Sequence, residues 1–201
     1  MNEFEISANQ YLNKSTRAFY HVPYVGMGTP GNPDYLNHLK NTFNNFAERK
    51  LQSAAQELRS VLQDGLPQIF QSLGFDTMTV CVVPRAKAEE SYHANQQLFR
   101  STVRAAIGQI KGFVDGTSYI CRHTSTKTTH LMKSNIKNND GPVPYPGITA
   151  ETCEISPHVR GKNILLVDDI YTPHVNVDED AINALLNAGA RTVTFYAVGK
   201  V

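Results

Sequence analysis

The apolar and polar positions change rhythm partway along the chain. Between residues 35 and 63, Leu36, Leu39, Phe43, Phe46, Leu51, Ala55, Leu58 and Leu62 recur mostly three and four apart. That period predicts one long helix with a single buried face, with Asp34 at its N-cap. Gly65, Leu66 and Pro67 interrupt the run; Pro67 can open a short helix through Leu73, and Gly74 ends it. From residue 77 onward, short β-branched runs take over: TMTVCVV at 77–83, NILLV at 163–167 and TVTFYAV at 192–198. Such runs between turn residues predict strands buried on both faces. A second strand region is expected at 113–121, and a further strand near 18–20. Helical spacing returns at 89–110, through Leu98, Val103, Ala106, Ile107 and Ile110. It returns again at 176–188, where Asn176 is expected as N-cap, Glu179 as the capping-box partner, and Gly189 as the stop.

Alternating strand, loop and helix over the C-terminal half predicts an α/β fold with a parallel sheet and right-handed crossovers. In such sheets ligands bind beyond the carboxyl ends of the strands. The loops at 84–87 and 168–176 are therefore expected on one edge. Residues 21–33 are dense in Gly and Pro and read as loop. Residues 122–150 are polar and long, a kind of stretch that is usually functional or mobile.

Composition narrows the function. Nineteen Lys and Arg against eighteen Asp and Glu leave a net charge of +1, which gives no drive toward nucleic acid or an anionic membrane. No apolar run reaches the ~18 residues that span a bilayer. The acidic start, Met1 to Glu5, lacks the apolar core of a signal peptide. Cys81, Cys121 and Cys153 are odd in number and widely spaced, as expected of isolated thiols in a reducing cytoplasm rather than a disulfide frame or zinc knuckle. His123, His130 and His158 form no ligand spacing.

The chemistry concentrates in NILLVDDIYTPHVN at 163–176. Adjacent carboxylates at the end of an apolar strand are costly to bury without cations or hydroxyl partners. They suit Mg²⁺ or a vicinal diol, and the helix N-terminus that follows offers backbone N–H groups to a phosphate. Receiver domains share ILLVDD, but in their first strand; here only 32 residues follow Asp169. Haloacid dehalogenases need acids two apart, whereas Asp168 and Asp169 are adjacent.

This segment resembles the signature of the type I phosphoribosyltransferases, and among them the ComF-like members. The resemblance covers residues 77–201. Val82 to Lys87 sits where that family keeps its pyrophosphate loop. Arg122, with residues 126–131, resembles its mobile catalytic loop. Gly161 and Lys162 before the strand, and residues 187–190 after the helix, also fit. The resemblance implies a phosphoribosyltransferase-like core with helices on both faces, capped by a helical region or hood at 1–76. It implies that Asp168 and Asp169 hold the ribose hydroxyls of phosphoribosyl pyrophosphate, directly or through Mg²⁺. Arg85 and Lys87 would grip the pyrophosphate, Arg122 would bind substrate beside the mobile loop, and Lys127 would add a catalytic contact to the pyrophosphate. Thr172 and the backbone of Pro173, His174, Val175 and Asn176 would cradle the 5′-phosphate, Tyr171 would stack on base or ribose, and residues 124–134 would close over the site.

The phosphate loop departs from the family pattern. Pro173 removes an N–H, His174 replaces a glycine, and Asn176 replaces a hydroxyl. Asp178, Glu179 and Asp180 complement the helix dipole but oppose a phosphate at that end. Two functions are therefore expected to compete, and a third class, a nucleic-acid-handling accessory, gains no support from the near-zero net charge. One is a transferase acting on an unidentified base or amine. The other is a weakened relative that senses a nucleotide or phosphosugar, or serves an assembly. The helix at 35–63 offers a flat face to a second copy.

Overall fold

The computed structural model describes residues 1–128, 131, 139 and 141–201. Of the expected mobile loop, Thr129, His130 and 132–134 lie outside the described residues. The strands are β1 (Asn2–Ile6), β2 (Thr16–Pro23), β3 (Met78–Val82), β4 (Phe113–Asp115), β5 (Ile120–Arg122), β6 (Cys153–Ile155), β7 (Asn163–Tyr171) and β8 (Thr192–Lys200). The helices are α1 (Tyr35–Lys40), α2 (Glu48–Leu73), α3 (Leu98–Ile107) and α4 (Val177–Asn187).

Six strands form one sheet in the order β1-β2-β8-β7-β3-β4. Its pairs are parallel except β1 with β2. The fold is thus α/β with a mostly parallel sheet. The three expected runs at 77–83, 163–167 and 192–198 are β3, β7 and β8, the adjacent centre of the sheet. All five residues of β3 are buried, as a strand covered on both faces requires. One core layer joins Leu36 and Leu39 of α1, Leu58, Leu62 and Leu66 of α2, and Val103 and Ile107 of α3 to that sheet. A second layer holds Ala181, Ile182 and Leu185 of α4 against the opposite face.

The N-terminal region differs from the expected separate hood. β1 and β2 extend the sheet, with β2 paired along β8 from Ala18↔Phe195 to Pro23↔Lys200. The expected break in the long helix also moves. α1 stops at Asn41, which adopts the left-handed conformation (φ 36°), and Asn44 follows with φ 52°. Asn tolerates this conformation better than most residues. α2 then runs unbroken through Gly65 and Pro67 to Gly74, whose φ of 67° ends it as expected. Gly65 lets the helix approach the sheet closely: a Cβ there would lie 3.2 Å from the Tyr196 hydroxyl and 2.6 Å from the end of the Met1 side chain. Pro67 is on the exposed side, where water can satisfy the carbonyl that loses its partner. Asp34 does not cap α1 with its side chain; its carboxylate accepts from the Gly28 amide and the Asn32 amide group instead.

Two further expectations are revised. The helix at 89–110 shortens to α3, preceded by single turns at Glu89–Ser91 and Ala94–Gln96. The strand region at 113–121 divides: β4 is an edge of the main sheet, while β5 pairs antiparallel with β6 in a small separate sheet. Among the described residues, no helix is long and apolar enough to cross a membrane.

Because α2 is continuous at Pro67, Pro67→Ala restores an interior hydrogen bond and removes a ring clash. We expect it to raise unfolding free energy by about 1–3 kcal/mol in urea titrations. A neutral or destabilising result would place a helix break there.

Candidate functional site

Two parallel strands of unequal reach create the site. β3 and β7 pair from Thr79↔Ile164 to Val82↔Val167, and the Val83 amide makes a last bond to the Val167 carbonyl at 3.0 Å. The chain then meets Pro84, which has no N–H to continue the ladder. β7 runs on beside β8 to Tyr171↔Lys200. Asp168 and Asp169 therefore lie inside β7, not at its end. Past Val167 the β3 side of β7 is open, and a cavity of about 590 Å³ lies against it. Loop 84–87 forms one wall, residues 39–43 another, and residues 168–178 a third.

Arg85, Lys87, Asp168, Asp169, Thr172 and Val175 all line this cavity. The two predicted loops thus share one edge, as parallel topology demands. Arg122, Lys127, Tyr171, Pro173, His174 and Asn176 are not among its lining residues.

Side chains alternate across a strand, so neighbours in sequence face opposite ways. Asp168 meets α4 and Asp169 meets α1. Asp169 forms an ion pair with Lys40, Oδ2 to Nζ 3.6 Å. Asp168 accepts the Asp169 amide at 2.8 Å and faces the carboxyl of Asp178, which is 5% exposed. Burial first, then the charge on Asp169, pushes Asp168 up to about 7. Burial and the Asp168 charge push Asp178 well above the usual carboxylate range, and the hydrogen bond between the two adds to the rise. That bond favours the protonated form of Asp178 and the ionised form of Asp168. Both carboxyls therefore take up a proton more readily than exposed carboxylates do.

The other first-turn acids of α4 turn away from the cavity. Glu179 accepts the Tyr171 hydroxyl at 3.0 Å, which leaves no capping box at Asn176. Tyr171 is itself buried between Phe4 and Phe195. Asp180 Oδ2 accepts the amides of Gly147 and Ile148 at 2.6 and 2.9 Å. Arg122, 4% exposed, donates to the carbonyls of Arg85 and Gly147 at 2.8 and 2.7 Å. Arg122 and Asp180 thus grip Gly147 from both sides of its peptide, and Arg122 ties that loop to loop 84–87.

The cations of loop 84–87 are engaged with main-chain oxygens. Arg85 donates one Nη to the Gln96 carbonyl at 2.6 Å and the other to the Lys40 carbonyl at 2.5 Å, with its guanidinium 4.4 Å from the Tyr92 ring centre. Lys87 Nζ donates to the Thr126 carbonyl at 2.9 Å. The backbone of Lys127 bonds to Pro142.

Loop 172–176 keeps an unusual backbone despite its side chains. His174 has φ 68° and Asn176 φ 63°, so the position expected to need glycine is left-handed here with a histidine in it. The Asn176 side chain steadies the turn by donating to the His174 carbonyl at 3.0 Å, and it accepts from Asn9.

Lys40, Phe43, Gln96 and Phe99 line the cavity as well, and no sequence motif pointed to them. One signal was present: the three-and-four spacing fails between Phe46 and Leu51, beside Asn41, Asn44 and Asn45. Asp168 and Asp169 each offer hard carboxylate oxygens at the cavity wall, and a cation such as Mg²⁺ needs only one or two carboxylates, with water and substrate oxygens completing its shell. No group of three or more His, Cys, Asp or Glu among the described residues forms a closed metal cage.

Raised folded pKa values mean the native state binds more protons than the unfolded chain, so stability falls as pH rises from about 4 through about 7. Asp178→Asn removes the repulsion. We expect it to stabilise the protein by on the order of 2 kcal/mol at pH 8 and by little at pH 4, measured as paired thermal melts. No family model matches the chain, and no curated protein matches it.

Proposed function

We propose that this chain is phosphoribosyltransferase-like, binding phosphoribosyl pyrophosphate with Mg²⁺ and transferring the phosphoribosyl group to a base or amine. The observation that carries this reading is the meeting of loop 84–87 with Asp168 and Asp169 in one cavity, at the carboxyl ends of adjacent parallel strands. Its volume of about 590 Å³ suits a small phosphorylated ligand. Asp168 and Asp169 would hold the ribose hydroxyls or the cation. Mg²⁺, when bound, neutralises charge building on the diphosphate.

The chain's residues then act by placement and by excluding water. The acceptor nitrogen attacks C1 of the ribose. The C1–O bond breaks, its electron pair leaves with the pyrophosphate oxygen, and the acceptor nitrogen's N–H proton passes to the departing pyrophosphate or to water. Lys87 bears on the departing charge, while Leu39, Phe43 and Phe99 give the cavity an apolar side on which electrostatic contacts gain strength. Thr172 supplies a hydroxyl at the phosphate end.

A second reading is a binding module that retains the ligand and lacks turnover. The commitment of the Arg85 fork to two carbonyls favours it, as does the presence of Asp178 in the cavity wall.

Titration calorimetry with phosphoribosyl pyrophosphate and Mg²⁺ is expected to show micromolar binding that the Asp168→Asn, Asp169→Asn double variant weakens at least about 100-fold. Pyrophosphate release with any of a panel of bases or amines selects the transferase. Binding without release selects the module. Absence of binding by the wild type overturns both.

A further inference from the structure

We propose that Lys40, from the N-terminal region, grips the diphosphate of the ligand beside Lys87, and that Arg85 is a positioning residue acting through Lys40. The inference rests on the phosphoribosyl pyrophosphate reading above.

Three observations converge. First, Arg85 lies on the predicted pyrophosphate loop, yet its planar fork spans two main-chain carbonyls, those of Gln96 and Lys40, and its face packs on Tyr92. An arginine used in this way has little left for a bidentate phosphate contact. Second, the carbonyl it holds is that of Lys40 itself. Gln96 strengthens the clamp, its side-chain amide donating to the Asn41 carbonyl at 3.0 Å. The backbone where α1 ends is thus tied to loop 84–87 by Arg85 and to the turn at Ala94–Gln96 by Gln96, and Arg85 also joins that turn to its loop. Third, Lys40 lines the cavity, and its ammonium lies 3.6 Å from Asp169 on the same wall. Its side chain is 29% exposed, so it stands at the cavity wall rather than in bulk water.

A lysine is a compact charge on a flexible stem. At 3.6 Å its contact with Asp169 is a loose ion pair rather than a short hydrogen bond, so little is lost when it swings away. In the free protein Lys40 neutralises Asp169. When Asp169 takes up the ribose or its cation, Lys40 is released toward the diphosphate. One side chain therefore guards the acid in the empty site and binds the anion in the filled one. No motif in residues 1–76 suggested this, because the role arises from a turn, not from a pattern.

Calorimetry with inorganic pyrophosphate, ribose 5-phosphate and phosphoribosyl pyrophosphate, each with Mg²⁺, tests the proposal. Circular dichroism melts confirm that each variant folds. Lys40→Met is expected to weaken pyrophosphate and phosphoribosyl pyrophosphate at least about tenfold, while ribose 5-phosphate changes less than about twofold. Lys40→Arg is expected to restore most of the lost affinity. Arg85→Lys is expected to weaken pyrophosphate in the wild-type background and to add little to Lys40→Met, since both act through one ammonium. If the wild type binds phosphoribosyl pyrophosphate and Lys40→Met binds it equally well, the Lys40 assignment is overturned and the functional reading stands. Additive losses would overturn the positioning role of Arg85. A wild type that binds none of the three overturns both the assignment and the reading beneath it.

Discussion

β3 pairs with β7 in parallel and stops early, and the site is built in the space this leaves. Four register pairs join the two strands, through Val82↔Val167. Pro84 then removes the donor that would continue the ladder. Had β3 run as far as β7, the open side of Asp168 and Asp169 would be covered by backbone and no cavity could form there. Stopping short frees one edge of a central strand and delivers loop 84–87 beside it. β8 keeps the other edge paired to Tyr171, which holds the acids in extended geometry.

Extended geometry in turn gives the two acids different environments. One faces Lys40 across an ion pair, the other a buried carboxyl on α4. A double acid that reads as a single unit is two separate electrostatic problems. The α1 side is balanced by a cation. The α4 side carries like charges, so it retains a proton or recruits a cation. A strand that must be stable when empty and receptive when filled has use for both arrangements. The supporting contacts follow the same logic: Arg122, Asp180 and Gly147 link the loop at 144–152 to loop 84–87, and Arg85 and Gln96 link that loop to the end of α1.

The central sheet was legible in the sequence because TMTVCVV, NILLV and TVTFYAV are β-branched runs with nothing helical about them. The positions of loops 84–87 and 168–176 followed from parallel topology alone. Other parts were not legible, for identifiable reasons. β1 reads NEFEI, with two of its five positions acidic, and carries too little apolar signal for a strand at an edge. Gly65 and Pro67 look like a helix break, yet close packing on Tyr196 and a solvent-facing ring keep them helical. The true break rests on the left-handed turn at Asn41 and Asn44, a conformation that residue type permits without requiring. The meeting of Asp168 with Asp178, and of Asp169 with Lys40, depends on how α4 and α1 lie on opposite faces of the sheet. Capping preferences pointed Glu179 at the backbone; a buried tyrosine hydroxyl took it instead.

Three segments distant in sequence, 39–43, 84–87 and 168–178, line one cavity, which we propose takes the anionic ligand. Hydrogen–deuterium exchange with and without phosphoribosyl pyrophosphate and Mg²⁺ tests it most directly. Slowed exchange is expected in peptides from all three segments at once, over one range of ligand concentration, with the β4 edge and the exposed face of α2 unchanged. Protection confined to one segment, or appearing only outside the three, would contradict it.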